Sequence, residues 1–564
     1  TEQRWSGLED EHGALLWAYY RHGGRPNFTH LFDYLQRWQA GRSTADVPPP
    51  QELPAAGAYH PRFPLGFSAD VRAVLDAVRV PGSHGVVGIG FHASYLESAA
   101  LEQVDALVEV LEKRGVTALP LFYSIGPDAD LPKLMQGLVD VHFHLQPVYH
   151  TAFAAQLDKL GIPVLQGIGW SDGGVQDYRE DRVGLPLATT PLYLALPEQN
   201  GLIDPMVGWA RGTGRIEIIP EQIDAMADKA VAYVRLQSTP RAERRLAVMV
   251  YNYPPGERNM AASFMNIPRS LERISTALNQ AGYTIEPRTE AQWIEQVGRV
   301  ISGLHHPEKL AALAADGLAE KFPLERYHAW YDGLPAAVRE RIEARWGKPE
   351  ESPFVREGAF LIPRVLDGKI AVLPQPPRGR PGKESERSLY HDLRVPVNHY
   401  YLAVYLWTRT QLGAHALVHL GTHGTQEWMP GKERGLHVTD DPLLALGETP
   451  IVYPYIVDNV GEATQAKRRG RAVMVSHQTP RFRPSSLHGK LGERHKRRQK
   501  ERTLEEGEVK QRTAARLKQE ILGGTILSDL GWTAGKIDAD FDAFQTALHD
   551  YLHTLAAQAQ PRVL

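Results

Sequence analysis

The sequence predicts a multidomain α/β protein with Rossmann-like parallel sheets and a mixed α/β half that carries the candidate catalytic residues. Two segments share one layout, in which an apolar strand is followed by a long loop, a helix that ends at a glycine, and another strand. The first contains Gly85–Phe91, Leu101–Arg114 and Val116–Phe122, and the second contains Leu246–Tyr251, Ser270–Ala281 and Tyr283–Pro287. Because strand–helix–strand units build parallel sheets, the repeated layout indicates two mostly parallel sheets.

The division into parts follows these elements and the breaks between them. Val141–Leu145 and Pro163–Gly167 are predicted as further short strands, and Pro48–Pro50 begins an extended linker. We therefore expect a helical and linker region over residues 1–80, an α/β domain over 81–240, a second α/β domain over 241–375, and an active-site domain with C-terminal helices over 376–564. The chain starts with Thr1 rather than Met, and we expect it to be part of a longer protein.

A glycine pattern in the first strand superficially fits a dinucleotide-binding fingerprint. The residues Gly88, Gly90 and Ala93 have the G-x-G-x-x-A spacing, which cradles a pyrophosphate at the start of a helix. The predicted helix does not follow at once, as that role requires. We therefore interpret the match as accidental and the glycines as a turn at the end of the strand.

Composition excludes several classes of protein. The 564 residues include no cysteine, which excludes disulfides, thiolate zinc sites and iron–sulfur clusters, so that a protein-bound metal must use His, Asp, Glu or water. The net charge of −3 gives no general attraction to nucleic acid or to an anionic membrane. No apolar run approaches the ~20 residues of a membrane span, and the start lacks a signal peptide. We expect a soluble, cytoplasmic protein.

The stretch Val418–Lys432 reads VHLGTHGTQEWMPGK and concentrates the chemistry of the chain. His419, His423 and Glu427 follow one another at four-residue spacings. Imidazoles and carboxylates are the side chains that exchange protons or hold a divalent metal near neutral pH. The upstream run Ala414–Leu420 predicts a buried strand, and open α/β sheets bind ligands where such strands end. The pattern therefore predicts a proton-transfer or metal-binding site.

Other interpretations of this cluster stay open. The zinc-protease pattern H-E-x-x-H is not met, because the chain has H-L-G-T-H with no glutamate beside the first histidine. Alternatively, one or both histidines only form hydrogen bonds within a turn. Glu427 and the turn Pro430–Lys432 favour a working site.

Weaker candidates lie outside the cluster. His142 and His144 alternate on a predicted strand and so point to one face, where two structural histidines are favoured over a pocket. Asp392 follows His391 just upstream of the main cluster and could orient an imidazole. The run Leu487–Ile521 is helical in pattern and highly charged, which is typical of a solvated helix face. A docking surface for an acidic partner is the alternative.

Four separated blocks of sequence resemble one known family, in the order in which that family has them. They are Gln375–Gly379 with Tyr390–Asp392, then His419–Lys432, then Tyr453–Arg469, and finally Ser476–Pro480. The blocks are similar to the large subunit of the ATP-dependent tetrapyrrole metal chelatases. A looser similarity extends back to the segment Val86–Phe122, so that the resemblance covers most of the chain.

The family has two main branches, which differ in metal and macrocycle. One inserts cobalt into hydrogenobyrinic acid a,c-diamide, and the other inserts magnesium into protoporphyrin IX. Trp428 and His477 resemble the cobalt branch, whereas Met429 and the segment Glu462–Thr464 resemble the magnesium branch. The balance favours Co²⁺ as the metal substrate, with Mg²⁺ as the alternative.

The resemblance implies a substrate-binding catalytic subunit of a ligase that forms nitrogen–metal bonds. Metal insertion removes two pyrrole-type protons and strips water from a divalent ion, and carboxylates and imidazoles serve both needs. Glu427 is then expected as the base, with His419 and His423 delivering the metal or sharing the proton, so that these three residues form the expected metal site. His391 and His399 are second choices for the same pocket.

The resemblance also implies how the substrate and the partners are bound. Lys432, Lys467, Arg468 and Arg469 are expected to pair with carboxylates of the tetrapyrrole, although the last three could instead cap the dipole of the preceding helix. The sequence contains no P-loop. ATP is therefore expected to be used by partner subunits, an AAA+ ATPase and an accessory subunit that carries a metal-binding domain.

Two other classes of protein are the alternatives. A tetrapyrrole-binding carrier or sensor without catalysis would keep the pocket but need not keep Glu427. A His/Glu metallohydrolase is disfavoured by the broken zinc-protease pattern. In the chelatase interpretation, we expect the macrocycle to lie in a cleft between the N-terminal α/β part and the part from about Tyr390 onward.

Overall fold

The computed structural model divides the chain into two compact units. The larger unit comprises Thr1–Ser263, Ile267–Tyr455 and Asn459–Ser476, and the smaller comprises Phe264–Asn266, Ile456–Asp458 and His477–Leu564. The structure describes residues 10–124, 130–147, 152–251, 260–262, 265–381, 389, 392–421, 424–478, 532–540, 543–544 and 547–548. None of the helices in these ranges combines the length and the apolar character that crossing a bilayer requires.

The first sheet lies in the N-terminal part of the larger unit. Its strands are β1 Gly57–Tyr59, β2 Phe67–Ser68, β3 Val86–His92, β4 Thr117–Tyr123, β5 Val141–His144, β6 Val164–Trp170, β7 Ile203–Ala210 and β8 Glu217–Ile218. Their order is β2-β1-β4-β3-β5-β6-β7-β8. The five strands from β4 to β7 are parallel, and β1, β2 and β8 are antiparallel to their neighbours. The predicted parallel sheet is confirmed.

Helices precede this sheet and cover both of its faces. They are α1 Asp10–His22, α2 Gly24–Gln39, α3 Val71–Val78, α4 Ala93–Glu97, α5 Glu102–Lys113, α6 Leu131–Met135, α7 Ala152–Leu160, α8 Val175–Glu180, α9 Leu196–Gln199 and α10 Pro220–Ser238. On one face, α5 and α10 pack apolar residues such as Leu107 and Met226 against the strands. On the other face, α3 and α7 contribute Leu75 and Phe153. Burial on both faces explains why the strands are continuous apolar runs.

The glycines of the predicted fingerprint lie inside β3, so the interpretation of them as a turn at the strand end is wrong. A Cβ atom at Gly88 would lie 2.7 Å from Nδ1 of His142, and one at Gly90 would lie 2.6 Å from its Nε2. Both glycines therefore make room for an imidazole on the neighbouring strand β5. His142 and His144 are completely buried, and each lies within 3.2 Å of the Tyr123 hydroxyl.

The second sheet is built from the part of the chain after residue 245. The strands of this part are β9 Leu246–Val250, β10 Ala261–Ala262, β11 Met265–Asn266, β12 Ala319–Pro323, β13 Val355–Arg356, β14 Ala359–Pro363, β15 Val365–Asp367, β16 Ile370–Pro374, β17 Ala416–Leu420, β18 Ile451–Ile456 and β19 Ala472–His477. Six of them form the sheet β15-β16-β9-β17-β18-β19, in which β16, β9, β17 and β18 are parallel. β12, β14 and β13 form a separate antiparallel sheet.

Eight helices of the described larger unit belong to this second part. They are α11 Ile267–Gln280, α12 Glu290–His305, α13 Leu310–Ala315, α14 Leu324–Tyr331, α15 Ala336–Trp346, α16 His399–Thr410, α17 Asp441–Leu446 and α18 Val460–Arg468. The described residues of the smaller unit contain α19, Ala534–Ala539. The predicted helix Leu487–Ile521 lies outside the described residues.

One predicted strand of the second part is wrong. Residues 283–287 form no strand, because the place beside β9 in the sheet is taken by β16. Thr284 accepts a single backbone hydrogen bond from Lys369 instead. The predicted four-part division of the chain stays a prediction; in the structure, β16 and β17 pair with β9 from either side of residue 375.

Specific polar contacts join the two sheets within the larger unit. The backbone of Gly184 forms an isolated bridge with that of Arg434. Arg471 makes a bidentate ion pair with Asp204 at 2.7 and 2.8 Å, and Lys229 approaches the same carboxylate to 3.3 Å. All three side chains are buried, so this is a compensated charge cluster rather than an exposed ion pair. The two sheets are therefore held in a defined arrangement.

Candidate functional site

The loop after β17 carries the predicted cluster, and two of its glycines are required by close contacts. Gly421 has a φ of 134°, and a Cβ atom there would lie 2.2 Å from the carbonyl oxygen of Tyr251. A Cβ atom at Gly424 would lie 2.5 Å from the hydroxyl of Tyr453, which accepts a hydrogen bond from the Gly424 amide. The loop is thus drawn against the strands on both sides of β17, as only glycine permits.

Glu427 lies in a single 3₁₀ turn, Gln426–Trp428, and is completely buried. Neither of its carboxylate oxygens has a hydrogen-bond partner within the part of the chain that the structure describes. Burial raises the pKa of Glu427 well above its usual range; the backbone amide of Glu427 itself and the charge of Arg469 oppose this effect, while the carboxylate of Glu462 adds to it. The carboxyl group therefore keeps its proton to higher pH than an exposed glutamate does. A nearby cation would stabilise its ionised form.

His419, on β17, is completely buried and therefore neutral. Burial lowers its pKa to about 3. Its Nε2 lies 3.1 Å from the amide nitrogen of Gln375 and 3.1 Å from the hydroxyl of Tyr405, whereas Nδ1 has no partner among the described residues. An amide nitrogen only donates, so its approach to Nε2 disfavours a proton on that nitrogen and favours the tautomer with the ring proton on Nδ1.

Gln375 follows β16 directly and is the centre of a buried polar network. Its amide nitrogen lies 3.0 Å from the Tyr401 hydroxyl, 3.2 Å from the Tyr405 hydroxyl and 2.9 Å from the side-chain oxygen of Gln426. Its side-chain oxygen accepts a hydrogen bond from the Thr425 amide at 3.2 Å. The network joins β16, α16, β17 and the loop, and so fixes the position of His419 relative to the turn that carries Glu427.

Two buried arginines hold the backbone of the loop. Arg469 donates from Nε to the carbonyl oxygen of Glu427 at 2.8 Å, and its other two nitrogens donate to the carbonyls of Met429 and Lys432. Arg378 donates to the carbonyl of Trp428 at 3.1 Å. Four carbonyls that no helix or strand satisfies are therefore bound by guanidinium groups. This explains why an irregular loop is buried.

The predicted basic residues all contact protein groups. Lys432 donates to the backbone carbonyl of Asp181, and its ammonium lies 4.9 Å from the centre of the Tyr178 ring. Lys467 donates to the carbonyl of Glu198 at 3.3 Å. Arg468 forms a bidentate pair with the Glu198 carboxylate at 2.7 and 2.9 Å, and Arg469 binds the loop as described above. Their predicted pairing with a substrate carboxylate stays a prediction.

Of the three remaining predicted histidines, one is buried in the fold and two lie outside the residues that the structure describes. His399 begins α16, donates from Nε2 to the carbonyl of Gly347 at 2.9 Å, and accepts from the Tyr327 hydroxyl at 2.9 Å. Both of its ring nitrogens are thus used within the fold, which favours a structural role. His391 and His423 lie outside the described residues. The expected metal site of His419, His423 and Glu427 therefore stays a prediction; within the described ranges, no group of three such side chains lies close enough to hold a metal.

Sequence patterns assigned no role to several residues of this site. Gln375 and Arg378 belong to a block quoted for the family resemblance, but an amide and an arginine have no spacing rule that reveals their contacts. Tyr401 and Tyr405 are four residues apart on α16 and stack at 5.1 Å. Their four-residue spacing is the one signal in the sequence which indicated that these two tyrosines lie on the same face of the helix.

The fold and the site together define the class of protein. A family model described as CobN/Magnesium Chelatase matches residues 17–564, and the chain belongs to this family. The chain is 30% identical over 506 residues to the aerobic cobaltochelatase subunit CobN of Sinorhizobium sp, covering 84% of this chain and 38% of that protein. It is 29% identical over 505 residues to a magnesium-chelatase subunit of Chlorobaculum parvum, covering 85% of this chain and 38% of that protein.

A solved structure shares the fold. The catalytic subunit of cobaltochelatase from Mycobacterium tuberculosis superposes with a TM-score of 0.68 at 24% sequence identity, over 96% of this chain and 46% of that one. The chain thus spans 38% of the length of each of the two curated relatives named above. The predicted family and fold class are confirmed.

Proposed function

We propose that this chain is the substrate-binding catalytic part of an ATP-dependent chelatase that inserts Co²⁺ into hydrogenobyrinic acid a,c-diamide. The carrying observation is the completely buried carboxyl group of Glu427, which has no partner among the described residues and a raised pKa. A buried carboxyl group without a partner is destabilising unless a ligand compensates it. Such groups with strongly shifted pKa values are typical of sites that move protons.

Proton and metal exchange at Glu427 follow from its electrostatics. When a divalent cation approaches, the ionised carboxylate becomes favourable and the proton is released. The carboxylate then accepts a proton from one macrocycle N–H as the nitrogen–metal bond forms. Because two N–H protons leave for each metal ion inserted, a second acceptor is needed, and His423 is our candidate for it.

The contacts of the His419 ring favour a different role for it from the one proposed for His423. Its imidazole is neutral, and the donors around Nε2 leave Nδ1 as the nitrogen without a partner among the described residues. A protonated Nδ1 donates a hydrogen bond and does not bind a metal ion. We therefore infer that His419 orients the macrocycle or a water molecule.

ATP hydrolysis is assigned to partner subunits, an AAA+ ATPase and an accessory subunit that carries a metal-binding domain. The absence of a P-loop from the sequence supports this division. The purified chain should therefore bind the macrocycle but show no ATP hydrolysis. Turnover of ATP by the chain alone that survives removal of contaminants would contradict the division.

Magnesium insertion into protoporphyrin IX is the alternative, because relatives from both branches match at 30% and 29% identity. A carrier or sensor without catalysis is disfavoured by the buried Glu427, since a binding pocket needs no carboxyl group that lacks a partner. An absorbance titration of the chain with both macrocycles separates these functions. We expect tighter binding of hydrogenobyrinic acid a,c-diamide; a preference for protoporphyrin IX would favour the magnesium branch, and binding of neither would contradict the proposal.

A further inference from the structure

A second pocket lies at the carboxyl edge of the first sheet and shares no lining residue with the loop of Glu427. We name it the switch-point pocket and define it by His92, Tyr95, Gln146, Arg211 and Arg215. Its volume is about 1130 Å³, and its lining residues all come from the first 216 residues. It therefore contains no residue of the second sheet.

The strand order explains why a pocket forms there. From β3 the chain moves to β4 on one side, and it then returns to β5 on the other side of β3. The loops that leave β3 and β5 consequently diverge, and the crevice between them is the place where open parallel sheets bind ligands. His92 and Tyr95 come from the loop after β3, Gln146 follows β5, and Arg211 follows β7.

The polar groups of the pocket lack partners that the fold could have supplied. Gln146 is only 5% exposed, and its amide nitrogen completes no hydrogen bond within the described ranges, although the amide is close enough to the buried Tyr123 hydroxyl to oppose the rise that burial causes in the pKa of that group. Arg211 and Arg215 are exposed to solvent, and in those same ranges their guanidinium groups form neither an ion pair nor a hydrogen bond; the guanidinium of Arg211 lies 5.9 Å from the centre of the Tyr95 ring. The lining also contains one carboxylate, that of Glu102. With two arginines and one glutamate in its lining, the pocket carries a net positive charge and an excess of hydrogen-bond donors.

These donors fit a phosphate better than a carboxylate. A phosphate monoester carries nearly two negative charges and three acceptor oxygens, which match two guanidinium groups and one amide. The volume exceeds that of a phosphate, and the lining includes the aromatic ring of Tyr95 beside Arg211, which adds an aromatic contact for a planar ring. We propose that the switch-point pocket binds a phosphate monoester carried on a planar aromatic ring, the chemistry of a mononucleotide.

Fluorescence titration of the chain with FMN tests this proposal, with riboflavin as the matched probe that lacks the phosphate. FMN should bind saturably and at least about tenfold more tightly than riboflavin. The double variant Arg211→Gln/Arg215→Gln should weaken FMN binding by about tenfold or more. Arg273→Gln, which removes an exposed arginine of α11, should leave it unchanged. Displacement of FMN by AMP would identify an adenine nucleotide as the ligand, and retention of FMN would identify a flavin.

Three results would overturn the proposal. The first is the absence of saturable binding of both FMN and AMP. The second is equal affinity for FMN and riboflavin, or FMN binding that the double variant leaves unchanged. The third is displacement of FMN by protoporphyrin IX whose own binding is lost in the double variant, because the pocket would then serve carboxylates of the macrocycle. Gln146→Leu gives an independent check, since it should weaken FMN binding without touching either arginine.

Discussion

Arg469 donates from Nε to the backbone carbonyl of Glu427 over 2.8 Å, whereas the carboxylate of the same glutamate has no hydrogen-bond partner among the described residues. The arginine therefore fixes where Glu427 stands without neutralising its side chain through a direct contact. This separation of positioning from charge compensation leaves the carboxyl group available to a ligand. It also makes the two contributions separable by mutation.

Arg469→Met should destabilise the folded protein by about 3 kcal/mol, because it leaves the carbonyls of Glu427, Met429 and Lys432 buried without donors. Urea unfolding of parent and variant measures the change. Arg394→Met is the matched control, because the guanidinium of Arg394 is exposed and, among the described residues, is bound only to Asp392; it should change stability by less than about 0.5 kcal/mol. Equal losses in both variants would contradict the role of Arg469.

His399→Gln should lower stability by about 1–3 kcal/mol while leaving macrocycle affinity per folded molecule unchanged, because both ring nitrogens bind groups of the fold. Urea unfolding and an absorbance titration of the folded fraction give the two numbers. A variant of parental stability that binds the macrocycle tenfold more weakly would instead support the substrate-binding role that the sequence predicts for His399.

The proton on His419 should reside on Nδ1, because the amide nitrogen of Gln375, which only donates, lies 3.1 Å from Nε2. Nitrogen-15 NMR of histidine-labelled protein distinguishes the two tautomers. Gln375→Glu places an acceptor beside Nε2 and should move the proton there, whereas His415→Gln, at the N-terminal side of β17, removes a different resonance and helps to assign the spectrum. A parent protein protonated on Nε2 would contradict the proposed network.

Glu427 should make stability fall as pH rises. Its folded-state pKa lies well above the usual 4.5, so between these values the folded state keeps a proton that the unfolded state releases. Glu427→Gln lacks this proton, and its stability relative to the parent should increase by up to ~1.4 kcal/mol per pH unit over that interval. The lowered pKa of His419 has the opposite effect, because stability is lost as the pH falls below 6.5. This effect is the same in the parent and in Glu427→Gln, so it cancels in the difference between their stabilities.

Urea unfolding at several pH values between about 5 and 8 measures this difference. Glu433→Gln, in the same loop but exposed and paired with Arg434, is the control and should follow the parent. Parallel curves for the parent and Glu427→Gln would show that Glu427 has no raised pKa.

The sequence correctly predicted those strands and helices that apolar runs and glycine stops mark locally. The strand β17 and the helix α5 were predicted to within two residues, because continuous apolar runs and a glycine stop mark them in the sequence. The position of Glu427 after a strand end followed from the same run. The failed strand at 283–287 shows the limit, because the choice of β16 as the neighbour of β9 depends on pairing that no local pattern records.

The contacts of the site required the fold itself. Gln375, Tyr405 and His419 meet because β16 and β17 flank β9 and because α16 packs over them, although the three residues are widely spaced in the sequence. The basic run Lys467–Arg469 looked like a carboxylate site, since the sequence does not show that Arg469 turns inward to the loop. Partners of buried polar groups are set by tertiary structure, which is why their roles were not predicted.

The chelation rate of Glu427→Gln tests the central claim most directly. The measurement compares parent and variant in the complete subunit, assembled with its ATPase and accessory partners, by following metal insertion into the macrocycle in the absorbance spectrum. Glutamine keeps the size of the side chain but does not accept the proton, so macrocycle binding should change little while insertion slows by about 10²–10⁴-fold. Glu433→Gln should insert metal at the parental rate. A Glu427→Gln protein that folds, binds the macrocycle and inserts metal within a few-fold of the parent would contradict the account and pass the role of base to His423.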